Sequence, residues 1–261
     1  MVKAVVYGLV ASSSLLIGAL IALGLDDLPE KRQRTVDKVN KGVLAFGAGV
    51  LLCTLSFNLM EEAFQKGGYD HAILGFLTGA LLFVVADLFV DRLGSGWELL
   101  LGALLDGIPE SAVIGIGLVA GKGLGFLMMV AVFLSNLPES LSGARDMLDP
   151  PLENQKHYSP RETVILWAAV TVICFASTIV GYAVFGNSSQ SLIALMLAIA
   201  AGAILAMVTH TMIPEAFSKL PKSASGSRMP GKRVLRIYDK IEAMAVVGGF
   251  LLAFILSKVS A

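Results

Sequence analysis

The sequence predicts an all-α, polytopic membrane protein of eight transmembrane helices, and three observations carry the prediction. Hydrophobic residues make up 56% of the 261-residue chain and charged residues only 15%, with a mean hydropathy of +0.77. A soluble domain has too little interior for that much apolar surface. The apolar residues gather into eight runs of about 20 residues, the length a helix needs to cross the hydrocarbon core. Basic residues then concentrate in alternate loops, as they do when those loops share one side of a membrane.

Taken in order, the runs are 4–25, 42–66, 71–90, 97–120, 124–147, 163–185, 191–219 and 241–256. The first is longer than the apolar core of a signal peptide and has no clean cleavage site, so it reads as a span. The basic loop after it, about 26–41, holds Lys31, Arg32, Arg34, Lys38 and Lys41. The loops after the third, fifth and seventh spans hold eleven more, so these four loops carry sixteen of the twenty basic residues. The positive-inside rule makes them cytoplasmic and puts both termini outside. Loops about 148–162 and 220–240 read as flexible and solvated, the latter rich in Ser, Gly and Pro before its basic stretch. The whole of 1–261 is read as one transmembrane domain.

Composition excludes several classes. Equal numbers of acidic and basic residues leave no surplus to neutralise phosphates, so nucleic acid is not a partner. Cys53 and Cys174 both lie in apolar runs and read as small hydrophobes, neither disulfide nor zinc cluster. No G-x-x-x-x-G-K-[ST] phosphate loop supplies an energy source. The lipid bilayer is the expected surrounding, and the sequence leaves a monomer or a homodimer open.

The fourth and fifth spans carry the chemistry. Leu104–Gly115 reads LLDGIPESAVIG and Phe133–Ala144 reads FLSNLPESLSGA, so Pro-Glu-Ser recurs at an offset of 29 residues. Asp106, Glu110 and Glu139 together cost about 8–10 kcal/mol at the bilayer centre, which points to a cation that they coordinate. Asp106 and Glu110 share a helix face at i, i+4, as do Ser135 and Glu139. Pro109 and Pro138 lack an N–H and free the carbonyls of Leu105 and Leu134. Asn136 and Ser135 complete an oxygen-rich set. One Pro-Glu pair is explained by a kink and a hydrogen-bonded acid; two on adjacent spans call for a site. Asp87, one turn from Asp91 and the span's end, reads as snorkelling to the interface.

A second repeat relates span two to span seven. Ala48–Phe64 (AGVLLCTLSFNLMEEAF) aligns with Ala201–Phe217 (AGAILAMVTHTMIPEAF) at an offset of 153. Spans two and seven run in opposite senses, as do four and five. The chain is therefore expected to hold inverted-topology repeats, helices 1–3 and 6–8 around Pro-broken helices 4 and 5, the plan of many secondary transporters. Asn58, Glu62, His210 and Glu215 are further polar residues within spans, expected to mark the ion's path.

With these residues in view, the chain resembles the ZIP (zinc- and iron-regulated transporter-like) family of divalent-metal transporters. Asp106–Ser111 and Ser135–Ser140 correspond to that family's H-N-x-P-E-G motif and its close relative. THTMIPEAF resembles its H-E-x-I-P-E stretch, which places His210 and Glu215 at family positions, and Asn58 falls at a polar position lining the entrance. The resemblance implies eight spans, both termini outside the cell membrane, and uptake of a divalent metal cation toward the cytoplasm, with the metal as substrate and no cofactor. It covers nearly the whole chain.

The departures shape the expectation. Asp106 stands where the family has His, Gly107 where it has Asn, and Thr211 where Glu follows the helix-seven His. Span six offers no acid, so one metal site is expected where other members hold two. Zinc is the family's usual cargo, whereas carboxylate in place of imidazole favours harder ions such as manganese or iron. An intramembrane metal-dependent hydrolase and a non-transporting metal sensor are the alternatives. The first lacks the H-E-x-x-H motif and central imidazole ligands.

Overall fold

The computed structural model describes residues 1–25, 29–92, 98–148, 158–218 and 232–259. Outside them lie 26–28, 149–157 and 220–231 of the predicted loops, the third loop at 93–96, and the predicted span ends 97 and 219. Among the described residues every regular element is a helix. They are α1 (Val2–Leu25), α2 (Glu30–Thr54), α3 (Met60–Arg92), α4 (Glu98–Ala120), α5 (Leu124–Leu148), α6 (Pro160–Phe185), α7 (Gln190–Met207), α8 (Ile213–Ala216) and α9 (Lys232–Val259). The loop bounds of the sequence reading need correction at three places, one of them Pro160, where α6 begins inside the stretch 148–162. Helix α2 begins at Glu30, inside the stretch read as loop, and α9 begins at Lys232, so both basic stretches are partly helical.

Among the described residues, seven helical segments are long and apolar enough to cross a membrane. The second of them, Thr35–Val90, has 56 residues. At 1.5 Å per residue it would be about 84 Å long if straight, far beyond a bilayer. It is not straight. Gly68 takes φ 71°, ψ −171°, a conformation open to glycine and closed to most side chains. Contacts with the α7 stretch show what the break does. Lys41 Nζ donates to the carbonyl and hydroxyl oxygens of Ser218, near the end of that stretch. Lys66 Nζ donates to Gln190 Oε1 at its start, 2.6 Å away. Beyond Gly68 the order reverses, and Asp87 Oδ2 lies 3.3 Å from His210 Nδ1. The chain therefore doubles back at Gly68.

Helices α1, α4, α5 and α6 pack on one another, while α3 pairs with α7 and α2 with α9. The join between the groups runs chiefly through α2 on α5 and α4 on α7. Glycines set the distances. A methyl group on Gly202 would lie 1.9 Å from the Phe76 carbonyl oxygen, and one on Gly49 2.0 Å from that of Val246. Backbones this close leave room for glycine alone.

The expectation that Pro109 and Pro138 break their helices is not met. Both α4 and α5 continue through their proline. A proline removes one hydrogen bond and crowds the preceding turn, and the rest of the ladder here carries the helix across. The irregular turns lie elsewhere. Leu55–Leu59 and Val208–Met212 are π-helical turns, separated by the same 153 residues at which the sequence repeats. A π-turn widens the helix and is found often at functional sites.

At the start of α6, Ser159 caps the helix: its hydroxyl accepts from the Glu162 N–H at 3.3 Å and the Glu162 carboxylate accepts from the Ser159 N–H at 2.9 Å. This reciprocal box satisfies two otherwise orphaned donors at the helix end.

Candidate metal centre

The two Pro-Glu-Ser helices lie side by side, joined by the tight turn Gly121–Lys122–Gly123. That antiparallel pairing places the central residues of α4 opposite those of α5. Asp106, Glu110, Ser135 and Asn136 are all buried, Glu110 at 1% exposure. Ser135 Oγ approaches Glu110 Oε2 at 3.4 Å, long for a hydroxyl donor, and its better-served partner is the Val132 carbonyl at 3.2 Å. Glu139 lies within electrostatic reach of Asp106, Glu110 and Glu215. Asp106 Oδ1, Glu110 Oε1 and Asn136 Nδ2 have no hydrogen-bond partner. Buried polar atoms without partners are uncommon, and a group of them asks for an explanation such as an ion or water.

The structure thus brings Asp106, Glu110 and Glu139 within electrostatic reach of one another and Ser135 beside Glu110, but not onto a single point. Among the described residues no three His, Cys, Asp or Glu side chains form a ligand cluster. A cavity of about 10 Å³ adjoins Asp106 and Glu110, walled by Phe83, Leu105, Pro109, Ala203, Ile204 and Met207. It has room for one water at most. The donor set suits a hard or borderline divalent ion, since it is carboxylate with amide and hydroxyl oxygen nearby.

Of the two carbonyls freed by proline, that of Leu105 belongs to a residue lining this cavity. That of Leu134 lies against the backbone of Gly47 in α2, where a methyl group would be 3.0 Å away.

The outlying polar residues separate. Glu62 is buried and both its oxygens are engaged, Oε1 with Lys66 Nζ at 3.1 Å and Oε2 with Lys122 Nζ at 2.9 Å. Asn58 lies in the first π-turn with Oδ1 buried and unpartnered. His210, in the second π-turn, is exposed and pairs with Asp87. Asp87 therefore does not simply snorkel, as its position in the span suggests: it faces a groove of about 360 Å³ with His210, Thr209 and Val84, and its charge is felt at Asp106. Glu215 lies within electrostatic reach of Lys41 and accepts a hydrogen bond from Ser142.

Asn40 is the residue that sequence reasoning missed. Its Nδ2 donates to the Pro138 carbonyl at 3.0 Å and to Ser142 Oγ at 2.9 Å. It fixes the backbone one residue before Glu139 to α2. Only its place in a stretch read as loop concealed it; a polar residue at the start of an apolar run was the available signal. Asn40→Ala is expected to lower stability by about 1 kcal/mol, through loss of the hydrogen bonds that tie α2 to α5. The thermal midpoint of the detergent-solubilised protein checks this, and an unchanged midpoint would contradict it.

No protein-family model matches the chain. Over 215 residues it is 24% identical to a protein of Arabidopsis thaliana named as a putative zinc transporter, an alignment covering 77% of this chain. The chain spans 33% of that protein's length.

Proposed function

We propose that this chain is a ZIP-family transporter that carries a divalent metal cation across a cell membrane toward the cytoplasm. The observation that carries the reading is the set of acids on α4 and α5, Asp106 and Glu110 buried and Glu139 half-buried within electrostatic reach of both, with two orphaned carboxylate oxygens among them. Such acids are costly in a bilayer unless something positive visits them. The ion draws Asp106, Glu110 and Glu139 inward from their present separation, with Asn136 and Ser135 completing the shell. Zinc is the first candidate, supported by the name of the plant relative, and manganese or iron(II) follow from the hard donor set.

The reversal at Gly68 supports eight crossings, with Thr35–Val90 counted as two. Inverted repeats gain support from paired packing. Gly49 meets Val246 as Gly202 meets Phe76, and Gly249 meets Phe46 as Gly79 meets Ile199. Within each pair of contacts the α2 and α7 positions differ by 153 residues. A repeat built twice in opposite senses provides the two faces that alternating access needs. Both termini then lie outside.

Uptake into proteoliposomes holding the purified protein tests the reading, with zinc, manganese, iron(II), cobalt and cadmium compared. Saturable uptake of at least one ion above protein-free vesicles is the expected result. Metal binding without uptake by correctly inserted protein would replace the transporter with a sensor.

A further inference from the structure

We propose that Lys122 and Glu62 form a latch that fastens the α4–α5 turn to the α3–α7 pair and closes that side of the molecule to the central site. The proposal rests on the transport reading only for what the latch controls. Its physical basis is independent of any ion.

The turn Gly121–Lys122–Gly123 has φ values of 92°, 48° and 68°. Two of the three residues are glycine, as left-handed backbone favours. Lys122 is the only non-glycine residue with positive φ among the described residues. A third glycine would relax the turn, so the lysine is kept there against local preference, and such strain clusters where a structure uses it. What its side chain gains is contact with the other group of helices. Lys122 Nζ lies 2.9 Å from Glu62 Oε2 and donates to Gln65 Oε1 at 2.6 Å.

Glu62 does not need this partner to be neutralised. Lys66, one turn along the same helix, already holds its other oxygen and reaches on to Gln190 at the start of α7. Glu62 and Lys66 lie on the first turns of α3, ahead of the break at Gly68, so the Glu62–Lys66–Gln190 part joins the end of the α2 leg to the start of α7, and Lys122 docks onto it from outside. The Lys122 side chain is 59% exposed against 7% for that of Glu62. An ion pair with one end in water is weak and readily broken. That strength suits a contact made and released in a cycle better than a permanent brace.

Position gives the contact its consequence. The turn terminates both helices that bear the site, so holding it fixes how those helices sit against α3 and α7. In the proposed orientation this is the outer side. Release of Lys122 opens the seam between α4–α5 and α3–α7 from that side and lets water reach the site.

Cysteine accessibility tests this without reference to transport. Ala131 is fully buried on α5, one turn from Ser135 toward the latch. In protein with Cys53 and Cys174 replaced by alanine and Ala131 by cysteine, held in nanodiscs, labelling by a charged maleimide is expected to be slow. Lys122→Gly, Lys122→Gln and Glu62→Gln should each label about fivefold faster, the factor that loss of a contact near 1 kcal/mol gives. The exchange Glu62→Lys with Lys122→Glu should return the slow rate, since the carboxylate carried by the turn would then sit between two lysines of α3. Equal rates in all these proteins would overturn the latch. Faster labelling in the variants, beside an unmutated protein that moves no metal, would leave the latch standing and remove the transport reading; unchanged labelling in the variants beside normal uptake by the unmutated protein would do the reverse.

Discussion

Glu110→Ala is expected to reduce metal uptake to the level of protein-free vesicles while the protein remains folded in the membrane. The two halves of this result come from one fact. Glu110 is 1% exposed, its Oε1 has no partner, and its Oε2 has only a long contact with Ser135. A carboxylate so placed contributes little to the fold and much to a passing cation. Loss of groups that merely orient a metal ligand lowers affinity about 10–100-fold, so loss of the ligand itself should cost at least about 100-fold. Stability should move the other way, because the variant no longer holds an acid at a depth that costs about 2.5–3.5 kcal/mol. Glu110→Gln should also fail to transport, separating charge from shape. Glu139→Ala should match it, as the corresponding residue of the second Pro-Glu-Ser copy. Wild-type uptake by both alanine variants, in vesicles shown to contain inserted protein, would remove these residues from the site.

How much of this was legible in the sequence depends on the kind of interaction. The helical, membrane-crossing character of the chain was readable because bilayer crossing is set by length and hydropathy, which are local. The central acids were readable because charge at membrane depth is expensive wherever it occurs. The prolines misled. Pro109 and Pro138 promise a break, yet neighbouring turns and the packing of α4 and α5 hold the helices continuous, and the irregular turns fell at Leu55–Leu59 and Val208–Met212, where no proline lies within the turn. Residues whose role depends on a distant partner were also hidden. Asn40 looks like loop until Pro138 and Ser142 stand beside it, and Asp87 looks interfacial until His210 faces it. Glu62 is the inverse case: a carboxylate in a span reads as a stop on an ion's path, and two lysines turn out to occupy it.

Gly202→Val is expected to destabilise the fold by at least about 3 kcal/mol, the upper part of the range for overpacking a buried contact. The reason is that the obstacle is backbone. A Cβ at Gly202 would lie 1.9 Å from the Phe76 carbonyl oxygen and 3.0 Å from the Ala80 nitrogen, neither of which can rotate away as a side chain does. The helices α3 and α7 would have to separate along their whole contact, and with them the walls Phe83, Ala203 and Met207 beside Asp106. Gly49→Val should do the same to α2 and α9, since its Cβ would meet the Val246 carbonyl oxygen at 2.0 Å and the Phe250 nitrogen at 3.0 Å. Gly24→Val is the control, a helical glycine with nothing within 4 Å of a built Cβ. Valine is a somewhat better helix former than glycine, and the control carries that general effect along with any other that valine has in a membrane helix. Thermal midpoints and size-exclusion profiles in one detergent should rank Gly24→Val near wild type and the other two as strongly destabilised or aggregated. Equal loss at positions 49 and 202 would support one packing solution used twice, in opposite senses, around a shared site. Loss at one position alone would mean that the matching offsets of 153 residues describe sequence and not mechanics.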